Sequence, residues 1–308
     1  MSLEPEHLLY PNRQYGMDHN RYRWSRLSER QPVEWSDGKS LALWINVSLQ
    51  HFPLDQRGDP FPPPGGMTMP YPDLRHYSLR DYGNRVGIYR VLDALASRKL
   101  SASFAVNGEL AVRLPELVRL AGEQGEIIGH GWNMDCPHYG GMDEGQEQQL
   151  IADTLGQLRN LTGQAVTGWL SPGRNESEST PERLVEQEVS YFCDWVNDDM
   201  PYRFDTDKGS LTAMPLSTEI EDTFVLQNNL HSELSWLEQT CDACDFLLQE
   251  AQQSGGGRLL ALSIHPWLIG QPHRIGKLEQ ALDYILAKGD IWPTTPGEIV
   301  RLWCKQQY

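Results

Sequence analysis

A histidine flanked by two glycines follows a short apolar run in the first half of the sequence. His130 comes directly after Glu126-Ile127-Ile128-Gly129, and Trp132 and Asn133 follow it closely. Glycine allows the positive φ angles and the close backbone contacts that a tight turn at a strand end needs. One reading is a turn with a capping histidine. The other is an imidazole presented to a ligand, with Trp132 and Asn133 as substrate-binding neighbours.

A second histidine follows the most regular apolar run of the chain. His265 comes after 258–264 and is followed by Pro266 and Trp267. Imidazole gains or loses a proton near neutral pH, so two histidines in one cleft could act as base and acid. We therefore predict His265 and His130 as an acid/base pair, with Trp267 as a substrate-binding wall.

Two further polar groups also follow apolar segments. Arg174 stands in Ser171-Pro172-Gly173-Arg174, and Asp198 stands in an acidic turn before Pro201. We predict that Arg174 binds a substrate carbonyl or carboxylate. We predict that Asp198 is catalytic, by orienting a histidine or binding substrate N–H groups. The acidic residues of 219–222 read instead as an exposed run.

The elements that must position these residues alternate regularly between strand and helix. The predicted strands are 41–48, 101–106, 126–129, 165–170, 189–193, 211–216, 258–264 and 290–292. The predicted helices are 82–98, 108–124, 144–161, 177–188, 232–253, 274–288 and 296–305. Repeated β-α units without a linker predict an α/β fold, a single distorted (β/α) barrel of about seven strands. Barrels place their active sites at the carboxyl ends of the strands, which is where the residues above fall.

Two segments do not show this alternation of strand and helix. The lack of periodicity in residues 1–39 predicts an irregular N-terminal arm rich in aromatic side chains, which precedes a barrel domain at 40–308. Residues 51–81 predict a long Pro/Gly loop, and loops of that length are usually functional, as lids or interfaces. Together the arm and the loop predict a homo-oligomer.

Composition restricts the partners. The formal net charge of -16 argues against nucleic acid, which needs a basic surface, and against anionic membranes. No apolar run approaches the ~18 residues of a membrane span, and the first residues lack the pattern of a signal peptide. Five cysteines suit a reducing compartment. We therefore expect a cytoplasmic protein with a small-molecule substrate.

The order of these motifs resembles the polysaccharide deacetylase (NodB-homology) superfamily, and within it the cofactor-independent allantoinase-like branch. The segments that carry the resemblance span about 40–303 and include 101–108, 128–132, 168–174, 197–202 and 263–275. The resemblance implies a NodB-like barrel and a hydrolase of carbon–nitrogen bonds other than peptide bonds.

The sequence departs from that superfamily where metal is bound. Its deacetylases carry paired aspartates at the end of the first strand, whereas this strand ends Asn46-Val47-Ser48. They also carry a second metal histidine four residues after the first, and Met134 stands there. His130 alone cannot hold zinc, which takes three protein ligands and a water. We therefore predict no metal ligands and no cofactor. A zinc site rebuilt from His51, Asp135 or His138 is the disfavoured alternative.

Three functions follow from the resemblance. The first is an allantoinase-like, metal-independent hydrolase of a small amide or cyclic ureide. The second is a metal-dependent deacetylase of polysaccharides or N-acetyl sugars with altered ligands, in carbohydrate metabolism. The third is a catalytically inactive relative that binds a ligand in the same pocket. Retention of His130, Arg174 and His265 at strand ends favours an enzyme.

Overall fold

The computed structural model describes residues 19–55 and 72–307. Within these residues nine strands form one sheet. They are β1 (Leu41–Leu49), β2 (Ala102–Val106), β3 (Gly125–Gly129), β4 (Gly168–Trp169), β5 (Tyr191–Phe192), β6 (Tyr202–Thr206), β7 (Gly209–Ala213), β8 (Arg258–Ile264) and β9 (Ile291–Thr294). The α-helices described there are α1 (Leu74–Tyr82), α2 (Ile88–Ala96), α3 (Gly108–Arg113), α4 (Pro115–Gln124), α5 (Glu144–Thr162), α6 (Thr180–Glu186), α7 (Glu233–Ser254), α8 (Ile275–Ala287) and α9 (Pro296–Gln307).

The strand order is β6-β7-β5-β4-β3-β2-β1-β8, and β9 also pairs with β1. Every pairing is parallel except that of β6 with β7. Parallel pairing places the carboxyl ends of β1, β2, β3, β4 and β8 at one edge of the sheet. The predicted α/β class is confirmed, and this edge is where the candidate residues are to be sought.

Alternate residues of β1 point into two different apolar clusters. Leu43 and Ile45 belong to a large cluster that includes helix residues, whereas Ala42 and Trp44 belong to a second cluster. Side chains alternate between the two faces of a strand, so the sheet is covered on both faces. Burial on both faces explains why β1 reads as a nearly continuous apolar run.

The two outer strands of the sheet approach each other without pairing. Among the described strands the hydrogen-bonded order runs from β6 to β8 and does not return to its start. Residues of both strands nevertheless line one cavity of about 860 Å³, among them Tyr202 of β6 and Arg258 of β8. The sheet is therefore rolled into a distorted barrel with an open seam.

The described part of the N-terminal arm crosses this seam. The carbonyl of Arg21 accepts the N–H of Asp205 on β6 at 2.6 Å, and the carbonyl of Val33 accepts the N–H of Gly257, next to β8, at 2.7 Å. The arm forms only short turns of 3-10 helix between Leu27 and Gly38. Its irregular character is as predicted, while the domain boundary at residue 39 stays a prediction.

Two elements were absent from the sequence prediction, and the predicted helix 108–124 is divided into α3 and α4. Strand β6 was not predicted, because Tyr202–Thr206 alternates in exposure at the sheet's edge and lacks a continuous apolar run. Helix α1 lies inside the predicted loop 51–81 and is capped by Asp73, whose Oδ1 accepts the N–H groups of the first turn at 3.1 Å. Residues 56–71 of that loop lie outside the described residues. No helix in the described ranges is long and apolar enough to cross a membrane.

Candidate active site

His265 stands at the carboxyl end of β8 and is held by a buried carboxylate. Its Nδ1 donates to Oδ1 of Asp222 at 2.7 Å, and its backbone N–H donates to Oδ2 of the same residue at 2.8 Å. Asp222 is fully buried, and burial raises its pKa while His265 acts to lower it. Because Nδ1 carries the donated proton, Nε2 of His265 presents its lone pair. This is the arrangement of an oriented general base.

A second carboxylate lies on the other side of the imidazole. Oε1 of Glu221 is 3.7 Å from Nε2 of His265 and accepts a hydrogen bond from Ser263 at 3.1 Å. Oε2 of Glu221 accepts from Nη1 of Arg174 at 3.1 Å. Glu221 therefore connects the predicted residues Arg174 and His265 through one side chain.

His130 lies at the carboxyl end of β3 and is buried. Its Nδ1 donates to the carbonyl of Leu170 at 2.7 Å, and its Nε2 lies 3.2 Å from Nε2 of Gln50. Burial lowers the His130 pKa to about 4, and repulsion from His265 and Arg174 acts in the same direction. The hydrogen bond to Leu170 opposes this shift. His130 is therefore a neutral imidazole at neutral pH, with Nε2 as a hydrogen-bond acceptor.

The glycine after His130 allows two strand ends to meet. Gly131 has a φ of 64°, and a Cβ at this position would lie 2.4 Å from Pro172 in the loop after β4. Arg174, four residues beyond Leu170, itself has a φ of 56°, an uncommon conformation for a non-glycine residue. The Gly-His-Gly turn thus lets the loop that carries Arg174 close over His130.

Trp267 lies beside the imidazole of His265, and Arg80 stacks on Trp267. The Trp267 and His265 ring centroids are 6.1 Å apart. The guanidinium carbon of Arg80 is 3.6 Å from the Trp267 ring centroid and 4.6 Å from that of Phe52. Burial lowers the Arg80 pKa to about 9, and the charge of Asp222 opposes that shift. Trp267 thus lies next to His265, and Arg80 adds a partly buried cation.

A pair of carboxyl groups lies next to this site. Asp194 accepts the N–H of Ser171 at 2.7 Å and lies next to Glu176. Glu176 also accepts from the indole of Trp195 at 2.8 Å. Burial and the charge of Asp194 raise the Glu176 pKa well above its usual range, so the two groups share a proton. They tie the loop after β4 to the end of β5.

Two predicted substrate-binding residues have structural roles here. Asn133 donates to Glu109 at 2.7 Å and accepts the N–H of Asp135 at 2.9 Å, which fixes the turn after β3. The Trp132 indole lies against Gly108, where an added Cβ would be 2.9 Å from the ring. Both side chains are directed toward α3.

The structure does not bring Asp198 to the histidines. Asp198 forms an ion pair with Arg30 at 2.6 Å and accepts the N–H of Met200 at 3.0 Å. It lines the 860 Å³ cavity together with Arg258, the first residue of β8, whereas His265 follows the last. Asp198 therefore faces the seam cavity and the N-terminal arm, in the segment between β5 and β6.

The donor set at His130 does not fit zinc. Asn46, at a position where the superfamily has an aspartate, accepts from Ser103 at 2.9 Å inside the barrel. His51 lies 3.5 Å from Glu109, and His138 donates to Glu147 at 2.9 Å, so neither joins His130. Across residues 19–55 and 72–307, no three His, Cys, Asp or Glu side chains are grouped as metal ligands.

Four residues of the site were missed by the sequence prediction, namely Gln50, Glu221, Asp222 and Arg80. Gln50 is the first residue after β1, so the rule of strand ends would have found it. Asp222 was dismissed with its acidic neighbours as exposed, although it also follows a strand. Arg80 had no such signal, because it lies in a segment predicted as loop and reaches the site only by packing.

Comparisons with known proteins agree with this architecture. The polysaccharide deacetylase family profile matches residues 77–192. A Schizosaccharomyces pombe protein assigned by name to the polysaccharide deacetylases is 24% identical over 263 residues, covering 76% of this chain and 79% of its own.

Two solved structures are similar over nearly the whole chain. The structure of PuuE allantoinase has a TM-score of 0.81 and 23% identity, covering 96% of this chain and 98% of its own. A structure from Pseudomonas aeruginosa PAO1, assigned by name to the polysaccharide deacetylases, has a TM-score of 0.77 and 24% identity with the same coverage. The predicted resemblance is confirmed: residues 77–192 are similar to the polysaccharide deacetylase family, and the fold of the chain is that of the two solved structures.

Proposed function

We propose that this protein is an allantoinase-like hydrolase that cleaves a carbon–nitrogen bond in a small amide or cyclic ureide without a metal. The observation that carries the proposal is the Asp222–His265 pair. Its imidazole has a fixed proton at Nδ1 and a lone pair at Nε2, between the carboxylate of Glu221 and the ring of Trp267. The names of the similar proteins support a hydrolase of this class.

In the proposed reaction, Nε2 of His265 takes a proton from water as the water oxygen bonds to the substrate carbonyl carbon. The imidazolium formed is stabilised by Asp222, which lies against Nδ1. The carbon–nitrogen bond then breaks, and the leaving nitrogen receives the proton from Nε2. One residue thus serves as base and then as acid.

His130 takes a different role from the one first predicted. A neutral imidazole with a pKa near 4 is a poor proton donor at neutral pH, so we assign it to a hydrogen bond with water or substrate, alongside Gln50. Arg174 is paired with Glu221 and is placed to bind the substrate carbonyl oxygen as negative charge develops on it.

The proposal is tested with a panel of cyclic ureides, linear amides and N-acetyl sugars. We expect turnover of at least one amide or ureide, and its loss in His265→Ala with the circular dichroism spectrum unchanged. The exposed His231→Ala is the matched control. Equal turnover by His265→Ala and wild type would contradict the assignment.

A metal-dependent deacetylase of N-acetyl sugars is the second candidate, and the family profile favours it. The two candidates differ in their response to chelation. Dialysis against EDTA followed by metal analysis should leave amide or ureide turnover unchanged under our proposal. Stoichiometric zinc that is lost together with activity in His130→Ala would instead support the deacetylase.

The predicted homo-oligomer and cytoplasmic location remain proposals. Light scattering coupled to size-exclusion chromatography tests the first. Cell fractionation with an antibody against the intact protein tests the second.

A further inference from the structure

The side-chain amide of Gln50 contacts His130 through its nitrogen and leaves its oxygen unpaired. We propose that Gln50 is a specificity-determining residue whose Oε1 accepts a hydrogen bond from an N–H group of the substrate. The inference rests on the proposed function and makes one role in it more specific: His130 orients Gln50, and Gln50 contacts the substrate. It narrows the substrate class to amides or ureides with a free N–H.

Gln50 lies between the two histidines along the carboxyl edge of the sheet. Gln50, His130 and His265 are the first residues after β1, β3 and β8. In the strand order β3-β2-β1-β8, strand β1 lies between the strands that carry the two imidazoles. The register aligns the last residues of β1, β2 and β3 with one another. Gln50 is therefore placed at the same edge as the proposed base.

The orientation of the Gln50 amide is fixed by two consecutive hydrogen bonds. A backbone carbonyl can only accept, so Nδ1 of His130 donates to the carbonyl of Leu170 at 2.7 Å. Because burial lowers the pKa of His130 to about 4, the imidazole is neutral and its Nε2 can only accept. The amide nitrogen of Gln50, 3.2 Å from that Nε2, must therefore be the donor. The amide oxygen takes no part in this contact.

The amide oxygen is the observation that points to a ligand. Gln50 is 9% exposed, and its Oε1 is a buried acceptor without a hydrogen-bond partner in residues 19–55 and 72–307. Buried polar atoms are normally paired, because an unpaired one costs free energy. An N–H group of a bound substrate would pair with this oxygen, whereas an ester oxygen at the same place would be repelled by it.

Two asparagine side chains hold the backbone on both sides of this amide. Nδ2 of Asn84 donates to the carbonyl of Gln50 at 2.9 Å. Oδ1 of the fully buried Asn107 accepts the N–H of His51 at 2.7 Å, and its Nδ2 donates to the carbonyl of His130. Asn107 therefore ties the residue after Gln50 to His130. An acceptor held in this way is preorganised, so that less conformational entropy is lost when a substrate binds.

The test compares two neutral rings of similar shape, imidazolidin-2-one with two N–H groups and ethylene carbonate with oxygen atoms in their place. Binding is measured by calorimetry on the full chain carrying His265→Ala, which removes turnover. We expect tighter binding of imidazolidin-2-one. Adding Gln50→Met removes the amide and keeps a side chain of similar length. It should weaken the binding of imidazolidin-2-one by about 3- to 10-fold and leave that of ethylene carbonate unchanged.

Two further variants separate the acceptor from general effects of substitution. Gln50→Glu keeps an oxygen at the place of Oε1, so it should retain the preference for imidazolidin-2-one. Gln148→Met replaces an exposed glutamine on α5 and is the matched control. It should bind both rings like the parent protein.

The orientation of the amide is tested separately by nitrogen-15 NMR of the histidine rings at pH 7. The signals of His130 are identified by their loss in His130→Asn. We expect a proton on Nδ1 of His130 and none on Nε2. A proton on Nε2 would turn the amide of Gln50 around, place its oxygen against the imidazole and overturn the proposal.

Equal affinity of the parent protein for both rings, or no binding of imidazolidin-2-one, would also overturn the proposal. An equal loss for both rings in Gln50→Met would do the same, because it would mark a purely structural role. Selective binding of imidazolidin-2-one that is lost in Gln50→Met, without turnover of any amide or ureide by wild type, would sustain the role of Gln50 and reject the proposed hydrolase. Turnover of a ureide by a protein whose Gln50→Met variant keeps the preference would sustain the hydrolase and reject this role.

Discussion

The carboxylate of Asp222 contacts His265 twice, through the ring Nδ1 at 2.7 Å and through the backbone N–H at 2.8 Å. Two contacts from one buried group fix both the position of the residue and the tautomer of its ring. The pair joins the carboxyl end of β8 to the segment that follows β7. Its geometry makes Nε2 the reactive nitrogen.

Asp222→Asn should therefore reduce kcat strongly while the protein stays folded. The side-chain amide can still accept a hydrogen bond from the backbone N–H of His265, but it favours the wrong tautomer of the imidazole. The matching substitution in a Ser-His-Asp triad lowers kcat by about 10³- to 10⁴-fold. Steady-state kinetics on the best amide or ureide is the measurement. Glu219→Gln, exposed in the same segment, serves as control, and a decrease of equal size in both variants would argue against the assigned role.

Acid should destabilise the fold partly through His130. Its pKa is about 4 in the folded protein and near 6.5 in an unfolded chain, so the unfolded state binds more protons between these values. The stabilisation is complete above pH 6.5 and is lost as the pH falls toward 4, by roughly 3 kcal/mol at most.

Urea unfolding of wild type and His130→Asn between pH 7.5 and 4 measures this contribution. The free energy of unfolding of the variant should fall less steeply with acid. Identical slopes for the two proteins would show that His130 is not the group responsible. His76 is also buried and also has a pKa of about 4, so it should contribute the same loss of stability in acid to both proteins.

Glu147 forms a buried ionic cluster away from the candidate site. It accepts from His138 at 2.9 Å and from Ser177 at 2.6 Å, and also from Thr180. Burial alone would raise its pKa, but these hydrogen bonds outweigh burial and hold it at about 2. Its stabilisation is therefore present above about pH 4.5 and is lost as the pH falls toward 2.

Glu147→Ala leaves His138 buried without its partner, so a loss of about 3–5 kcal/mol in the free energy of unfolding is expected. Chemical denaturation at pH 7 measures it. Glu144→Ala, on the same helix and exposed at an ion pair with Arg183, should change stability by only about 0.5 kcal/mol. Similar losses in the two variants would refute a special role for the buried cluster.

Asp198→Asn should leave turnover unchanged, contrary to the role predicted from the sequence. The substitution removes the charge paired with Arg30 of the N-terminal arm and spares His265. A stability loss of about 1 kcal/mol is expected from the weakened ion pair. Kinetics and thermal unfolding on one preparation provide the check, and a large fall in kcat would return Asp198 to the site.

Much of the fold could be predicted because periodicity reports burial directly. The runs at β1 and β8 are nearly continuous in apolar residues since both faces of the sheet are covered, and α5 and α7 begin within one residue of prediction. Strand β6 could not be found in this way. It lies at the edge and pairs antiparallel with β7, where its alternation resembles that of a polar turn.

The rule that barrels act at strand ends found His130, Arg174 and His265, which share one site. It failed for Asp198, because proximity in sequence to a strand end does not reveal which way the following chain turns. The same rule could have indicated Asp222. That residue was interpreted as exposed because it lies in an acidic run, and residue type alone does not show which acidic side chain is buried. A single residue of that run is fully buried, whereas Glu219 is exposed.

The sequence by itself determined the α/β alternation, the family resemblance and the absence of first-strand carboxylates at Asn46 and Ser48. These depend on local pattern and residue type, which are readable along one chain. Only the tertiary structure decided that Asp222 holds His265, that Gln50 faces Nε2 of His130, and that Arg80 stacks on Trp267. Each of these contacts joins residues 43 to 187 positions apart in the chain. Their partners are chosen by packing and desolvation, which no local pattern records.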